Sequence, residues 1–160
     1  MTEFKKHIET NKKAWNKRTP VHIKSNFYNN DEFMREKNSL KLIELNAIGN
    51  VTEKSLLHLQ CHFGQDSISL ARMGAKVTAV DFSDVAIKEA KKLAKKINTR
   101  VEFIESDVLD LKLKKEFDIV FSSYGVIGWL PDLDMWAKTI SDHLKKGGLF
   151  LLTEFHPFLE

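Results

Sequence analysis

The sequence of 160 residues contains few of the residues that cross-link or interrupt a chain. Its single cysteine, Cys61, excludes an internal disulfide and a cysteine-rich zinc site, and such sparse use of cysteine is typical of a reducing compartment. The three prolines are scattered, and neither repeats nor low-complexity tracts occur. The sequence therefore indicates one globular unit without an internal linker, and we predict no metal site.

Long hydrophobic runs are also absent. The longest, around residues 149–152, is far shorter than the roughly 18 residues that a bilayer-spanning helix needs. The opening MTEFKKHIETNKK has no apolar segment of the kind found in secretory signals. We therefore expect a cytoplasmic protein that does not interact with membranes.

Acidic residues are scarce only at the N-terminus. Residues 1–24 contain seven Lys and Arg against two acidic residues, whereas the remainder contains 18 against 20. No aromatic or glycine pattern typical of nucleic-acid binding accompanies this basic segment. We interpret it as a solvated basic helix and do not expect a nucleic-acid partner.

Hydrophobic periodicity predicts helices first and then alternating strands and helices. Residues 3–17 are predicted to be helical, 19–30 to form a loop, and 31–48 to form one or two helices with Leu40, Ile43, Leu45 and Ile48 facing inward. Strands are predicted at 55–59, 76–80, 101–104 and 117–122 and after the glycine turn of LKKGGLFLLTEFHP, with helices at 66–73, 83–96 and 133–144.

This alternation is typical of an α/β fold with a doubly wound, mostly parallel sheet. The link 105–116 is barely long enough for a crossover helix, so we expect a turn or one short helix there. In such sheets ligands bind beyond the carboxyl ends of the strands, where the strand order reverses. Candidate site residues should therefore directly follow the strands.

Asp81 is the most informative of these residues. A carboxylate at the end of the second strand, about 20 residues after the first turn, can accept hydrogen bonds from both hydroxyls of a ribose. The alternative is a capping aspartate ahead of Ser83, which itself resembles a helix N-cap. Asp107, at the end of the third strand, favours the ribose interpretation.

Several segments together resemble class I S-adenosylmethionine-dependent methyltransferases. The run LLHLQCHFGQDSISLARMGAKVTAVDFSDVAIKEAKKLA resembles their first two motifs, and SDVLDL, FDIVFSSYGVIGWL and LKKGGLFLLTEFHP resemble later motifs in the same order, over residues 55–157. GQDSISLARMGAKVTAVDFS and AWNKRTPVHIKSNFY are most similar to the small-molecule branch that includes thiopurine- and tellurite-type enzymes. The resemblance implies a Rossmann-like fold, with an N-terminal helical cap at residues 1–50 and a cofactor-binding domain at 51–160.

The resemblance also implies S-adenosyl-L-methionine as cofactor and assigns residues to it by position. The loop after the first strand and the start of the next helix would face the methionine part, Asp81 the ribose, Phe82 the adenine ring, and Asp107 with the Val108 backbone the adenine edge. The full set of implied cofactor contacts is Gln60, His62, Gly64, Asp66, Asp81, Phe82, Ser83, Asp107, Val108, Ser122 and Ser123, with Trp15 and Tyr28 from the cap.

The first motif departs from the family pattern at three positions. His58 replaces an acidic residue, and Gln60 and His62 replace the first two glycines. The two added side chains either supply hydrogen bonds to the cofactor or fill the space that it needs. Alternatively, His58 is a histidine packed in the core, and Cys61 is interpreted as an inert apolar residue.

Methyl transfer from a sulfonium is an in-line displacement, so positioning and a neutral, partly aromatic pocket contribute more than strong acid chemistry. Aromatic residues could also make a cation–π contact with the sulfonium. The candidates are Trp15, Phe27, Tyr28, Tyr124 and Trp129. If the acceptor must lose a proton, His156 is the first candidate base, with His22 and Glu154 in reserve.

Domains of this family continue with two further strands, whereas this sequence stops at PFLE after the fifth. We expect a fragment; otherwise the open sheet edge invites self-association. The leading hypothesis is methyl transfer to a small-molecule acceptor. The alternatives are a non-catalytic adenosyl- or nucleotide-binding module and a nicotinamide oxidoreductase. The last is disfavoured because QCHFGQ lacks the G-x-G-x-x-G pattern.

Overall fold

A computed structural model, which describes residues 3–35 and 37–156, contains one five-stranded sheet. The strands are β1 (Ser55–Leu59), β2 (Lys76–Asp81), β3 (Glu102–Glu105), β4 (Phe117–Ser123) and β5 (Leu144–Thr153). Every pairing is parallel, and the spatial order is β3-β2-β1-β4-β5. The predicted α/β fold with a doubly wound sheet is therefore confirmed. The terminal PFLE segment, on which the expectation of a fragment rests, lies outside the described residues.

Helices precede the sheet and connect its strands. They are α1 (Glu3–Ile23), α2 (Asn30–Met34), α3 (Leu42–Ile48), α4 (Gln65–Arg72), α5 (Asp84–Lys96) and α6 (Leu133–His143), with a short 3-10 turn at Ile127–Trp129. The link between β3 and β4 contains turns and no helix, as its length predicts. Within the described part of the chain, no helix combines the length and apolarity needed to cross a bilayer.

Alternating side chains of the buried strands build one core on each face of the sheet. On β1, Leu56 packs with the cluster that includes Ile68 of α4 and Ala90 of α5. Its neighbour Leu57 packs on the opposite face with Trp136 of α6. Because helices cover both faces of the sheet, the register of the strands is fixed, and so are the positions at which the strands end.

The N-terminal region differs from the prediction in two respects. Helix α1 continues to Ile23, so the predicted loop at 19–30 is too long. Pro20 lies in its last turn, where the Thr19 hydroxyl donates to the Trp15 carbonyl at 2.9 Å and the Thr19 side chain is fully buried. Tertiary packing of that turn therefore outweighs the missing backbone donor of the proline.

The region 31–48 forms two helices, as predicted, but the inward face of α3 is narrower than expected. Leu40 and Ile48 are buried, whereas the prediction for Ile43 was wrong, because this side chain is 65% exposed. Glu44 is buried instead, and its carboxylate accepts from the Lys41 backbone N–H at 2.6 Å. That N-terminal contact turns α3 so that Ile43 faces away from the core.

Candidate active site

A cavity of about 800 Å³ opens at the carboxyl ends of the strands. It is centred on β1 and β4, where the strand order reverses, and α1 covers one side. Of the predicted cofactor contacts, those that line the cavity are Trp15, Tyr28, Gln60, His62, Gly64, Asp66, Asp81, Phe82, Asp107, Val108 and Ser123. Ser83, Ser122 and His156 do not line it.

The loop after β1 keeps a glycine-like backbone in spite of its side chains. Gln60 has φ of 56° and His62 has φ of 50°, and both are therefore in the left-handed region that favours glycine. Gly64 follows with φ of 83°. The two positions at which this sequence departs from the family pattern thus retain the conformation that glycines would adopt.

The side chains of Gln60 and His62 are held by neighbouring elements. The Gln60 amide donates to the Val126 carbonyl at 3.5 Å, and its oxygen accepts from the Ser122 hydroxyl at 3.3 Å. His62 Nε2 lies 3.0 Å from Nδ1 of His22 on α1. Gln60 therefore connects the loop to the end of β4, and His62 connects it to the helical cap.

The surroundings of the His22–His62 pair favour the neutral form of both imidazoles. Burial lowers the pKa of His62 to about 3, with a further contribution from His22, and burial together with Arg18 lowers the pKa of His22. Trp15 and Tyr28 contact the His62 ring, with ring centroids at 5.2 and 5.8 Å. One imidazole donates and the other accepts, so the pair joins the cap to the loop without a charge.

Gly64 is required by packing as well as by conformation. A Cβ at this position would lie 2.7 Å from the Phe103 ring and 3.1 Å from the Ala90 methyl group. The start of α4 therefore packs directly against β3 and α5. Gly64 and the first residues of α4, Gln65 and Asp66, line the cavity.

Asp81 links the loop after β1 to the start of α5. It is 6% exposed, and its two carboxylate oxygens accept from the backbone N–H groups of His62 and Ser83, both at 2.8 Å. Burial raises the pKa of Asp81 to about 6, against the effect of these hydrogen bonds. The Phe82 backbone N–H also lowers this pKa, and the carboxylate, which can accept about four hydrogen bonds, retains capacity for a ligand hydroxyl.

Ser83 caps α5 rather than facing the cavity. Its hydroxyl oxygen accepts from the Ala86 N–H at 3.0 Å, as expected for an N-cap, and the hydroxyl donates to Asn16 of α1 at 2.5 Å. The capping role in this segment therefore belongs to Ser83. The carboxylate that lines the cavity is that of Asp81.

The ends of β2 and β3 form a second part of the cavity wall. Phe82 is half-buried there, beside Asp107 and the buried Val108. Asp107 accepts from the Leu109 N–H at 3.0 Å, and burial raises its pKa. A flat aromatic surface and a carboxylate at neighbouring strand ends suit a purine ring and its polar edge.

The end of β4 approaches the start of α4. Asp66 accepts from the hydroxyls of Ser39 and Ser123 at 2.6 and 3.0 Å, and burial raises its pKa. Ser122 is fully buried and donates to the Leu59 carbonyl at 3.3 Å. Of the two predicted serines, Ser123 therefore lines the cavity. Ser122 does not, and hydrogen-bonds to the end of β1 and to Gln60 in the loop that follows.

The side of the cavity formed by α1 and the 3-10 turn at Ile127–Trp129, called the cap side from here on, is aromatic. The Trp15 ring lies 5.5 Å from that of Trp129, and His22 stacks on Tyr28 at 5.4 Å. Burial, together with Asp66, raises the pKa of Tyr28 to about 12, so its hydroxyl stays protonated near neutral pH. Arg18, which sequence reasoning missed, lies over the rings of both tryptophans. Its spacing of three residues from Trp15 on a helix is the signal that could have found it.

The candidate bases lie at the edge of this arrangement. Burial of the Glu154 carboxylate is outweighed by hydrogen bonds from the backbone N–H groups of Phe155, Gly125, Ile127 and Val126, which lower its pKa. His156 is exposed and outside the cavity lining, and its role as a base stays a prediction. His22 lines the cavity but shares a hydrogen bond with His62.

His58 lies at the cavity floor. It is 2% exposed, its Nδ1 is 2.8 Å from the Ser67 hydroxyl, and burial lowers its pKa to about 3. Its Nε2 is buried without a hydrogen-bond partner among the described residues. The neighbouring Cys61 thiol is buried and its pKa is raised, mainly by burial, which is consistent with an inert role.

These features together fit an adenosyl cofactor. The loop after β1 has a left-handed backbone, the Asp81 carboxylate lines the cavity, and Phe82 and Asp107 line it beside the end of β3. The Nε2 of His58 is an unsatisfied polar atom at the floor of the same cavity.

Comparison with known proteins finds several relatives that are methyltransferases. The chain is 30% identical over 105 residues to the ubiquinone biosynthesis O-methyltransferase of Pelagibacter ubique (strain HTCC1062), covering 66% of this chain and 43% of that protein. It is 32% identical over 102 residues to the cypemycin N-terminal methyltransferase of Streptomyces sp, covering 62% and 41%. The chain thus spans less than half the length of these relatives.

Among solved structures, the PH0226 protein from Pyrococcus horikoshii OT3 matches with a TM-score of 0.66 and 27% identity, over 80% of this chain and 60% of that one. The narrower similarity to thiopurine- and tellurite-type enzymes stays a prediction. Residues 56–148 match the family described as "Methyltransferase domain". The chain therefore belongs to this methyltransferase domain family, among the class I members whose cofactor is S-adenosyl-L-methionine.

Proposed function

We propose that this chain transfers a methyl group from S-adenosyl-L-methionine to a small-molecule acceptor. The observation that carries the proposal is the junction at Asp81. This buried carboxylate joins the left-handed loop after β1 to the capped start of α5 and still faces the cavity. The division into a cap at residues 1–50 and a cofactor domain at 51–160, and a cytoplasmic location, belong to the same proposal.

In this proposal, the sheet side of the cavity binds and orients the cofactor, which supplies an electrophilic methyl group on a sulfonium. Asp81 accepts from the ribose hydroxyls, and Phe82 packs on the adenine ring. Asp66 and Ser123, which hydrogen-bond to each other at 3.0 Å, lie where the methionine amino group would bind. The side chains of Gln60 and His62 are held by β4 and α1, which supports the view that they leave room for the cofactor.

The cap side of the cavity positions the acceptor. Trp15, Tyr28 and Trp129 offer apolar ring surfaces that exclude water from the reacting groups. Holding the acceptor in line with the sulfonium is the main contribution that a protein makes to such a displacement. Aromatic ring faces also suit a sulfonium whose positive charge disappears during the reaction.

Calorimetric titration with S-adenosylmethionine, S-adenosylhomocysteine and NAD tests this assignment. We expect both adenosyl ligands to bind and NAD to fail. We expect Asp81→Ala to weaken S-adenosylhomocysteine binding about tenfold to a hundredfold, since hydrogen bonds to a charged acceptor are lost.

Asp118→Ala is the matched control for this titration. Asp118 also accepts from a backbone N–H, that of Ser55 at 2.8 Å, but at the opposite end of the sheet. Its substitution should lower stability and leave the affinity for S-adenosylhomocysteine unchanged. Equal affinities of wild type and Asp81→Ala would refute the assignment.

A non-catalytic adenosyl-binding module is the second candidate. It is favoured by the hydrogen bonds of Glu154 with four backbone N–H groups, by the exposed position of His156 outside the cavity lining, and by the hydrogen bond that His22 shares with His62. A screen of phenol, thiol and amine acceptors with radiolabelled S-adenosylmethionine separates the two candidates. Tight cofactor binding without transfer to any acceptor class would favour the module.

A further inference from the structure

Arg18 occupies an unusual position at the cap side of the cavity. Its guanidinium carbon lies 5.6 Å from the centroid of the Trp15 ring and 5.0 Å from that of the Trp129 ring. Trp15 belongs to α1 and Trp129 to the 3-10 turn after β4, so the side chain bridges two separate walls. Two cation–π contacts restrict the position of the guanidinium.

The guanidinium has no anionic partner among the described residues. Within residues 3–35 and 37–156, no acidic side chain forms an ion pair with Arg18 and no oxygen accepts a hydrogen bond from it. By contrast, Lys12 on the same helix pairs with Glu105 at 2.6 Å and with Asp84 at 3.7 Å. Arg18 is an exposed residue that lines the cavity, and its guanidinium lies beside both indole rings.

Charge is distributed unevenly around the cavity. The acidic side chains Asp81 and Asp107 lie at the ends of β2 and β3, where the adenosyl group is proposed to bind, and a third cavity carboxylate, Asp66, is held by the Ser39 and Ser123 hydroxyls and by the charge of Lys41. On the opposite side, Arg18 is accompanied by Lys41, whose ammonium lies 4.4 Å from the centroid of the Tyr124 ring. An anionic ligand would be attracted to the cap side and repelled from the adenosyl side.

We propose that the methyl acceptor is a planar aromatic molecule carrying a carboxylate, and that Arg18 binds this group. The fork of N–H donors on a guanidinium matches a carboxylate in two parallel hydrogen bonds, and the neighbouring indoles pack against the ring of the acceptor. Arg18 is thus a specificity-determining residue. This inference rests on the proposed methyl transfer, because it names the substrate class of the same site.

The test compares benzoate with benzamide, which have the same shape and differ in charge. The protein is first saturated with S-adenosylhomocysteine and then titrated with each probe, with binding followed by calorimetry and by quenching of tryptophan fluorescence. We expect benzoate to bind at least about tenfold more tightly than benzamide. This preference should disappear in Arg18→Gln and be reduced in Arg18→Lys, which keeps the charge but loses the fork.

Lys17→Gln is the matched control, because it removes the same charge from the neighbouring, exposed position of α1 and lies outside the cavity lining. It should retain the preference for benzoate. Equal binding of the two probes, no detectable binding of either at 10 mM or so, or an unchanged preference in Arg18→Gln would overturn the inference. Failure of S-adenosylhomocysteine to bind in the first titration would instead count against the proposed function.

Discussion

The two sides of the cavity are built in different ways. On the sheet side, the positions of Gln60, Asp81 and Asp107 follow from the ends of parallel strands, and backbone hydrogen bonds hold them in place. On the cap side, side chains of α1 meet residues distant in sequence, such as His22 with His62 and Arg18 with Trp129. The sheet side is therefore fixed by the fold, whereas the cap side depends on a few side-chain contacts, and the two should respond differently to substitution.

Gly64→Ala should have the largest effect, because Gly64 lies on the sheet side and both its backbone conformation and its close packing require glycine. Both the left-handed φ of 83° and the 2.7 Å approach of a Cβ to Phe103 oppose it. We expect a loss of about 3 kcal/mol in the free energy of unfolding, measured with urea. Gly147→Ala, also at positive φ but with nothing within 4 Å of its Cβ, should lose only about 1 kcal/mol. Similar losses at both glycines would show that packing at Gly64 contributes nothing.

Asp81 should make the sheet side sensitive to pH. Its pKa is raised in the folded protein to about 6 from a usual value near 4. The proton therefore binds the folded state more tightly, and the associated stability is present at low pH and is lost as pH rises through about 6. Relative to Asp81→Asn, the wild type should lose about 2 kcal/mol of stability between pH 4 and pH 7.

Urea unfolding of both proteins at several pH values measures this difference. His62, with a pKa of about 3, stays neutral over this interval, and the contribution of His22 is common to both proteins and cancels. A constant difference between wild type and Asp81→Asn would contradict the raised pKa. In the same interval, S-adenosylhomocysteine should bind more weakly as pH falls below 6, since a protonated carboxyl accepts fewer hydrogen bonds.

His62→Gly tests how far the cap depends on a single contact. Glycine relieves the left-handed strain at φ of 50°, but the hydrogen bond to His22 and the ring contacts with Trp15 are lost. We expect a net loss of about 1.5 kcal/mol, together with faster proteolysis of α1. Gln60→Gly, at φ of 56° and with longer hydrogen bonds, should change stability by less than about 0.5 kcal/mol. Unchanged proteolysis of α1 in His62→Gly would indicate that other contacts hold the cap.

Lys12→Ala should have the smallest effect. Its ammonium lies 2.6 Å from Glu105 and joins α1 to the end of β3, but the pair is partly exposed. We expect a loss of about 0.5 kcal/mol at low salt that disappears at 1 M salt. Lys92→Ala, which removes a pair with Glu89 within α5, is the control, since it should leave the proteolysis of α1 unchanged. A loss from Lys12→Ala that persists at high salt would point to packing rather than to charge.

The order of strands and helices was predictable because each element carries its own periodicity. The cap of α5 at Ser83 and the helix-free link between β3 and β4 likewise follow from residues close in sequence. The predictions for residues 19–23 and for Ile43 failed because they depend on contacts elsewhere. Thr19 is buried by tertiary packing, and Glu44 turns α3. Local propensity is a weak guide where packing decides.

The sequence by itself determined the fold class, the family resemblance and the strand-end residues, since a parallel sheet brings its carboxyl ends together in any chain with this alternation. Only the tertiary structure decided what Gln60 and His62 do at the glycine positions. It shows both with left-handed backbones and with side chains held by β4 and α1. It also brought Arg18 onto two tryptophans more than a hundred residues apart. Contacts between side chains distant in sequence leave no local periodicity, so no pattern along the chain could reveal them.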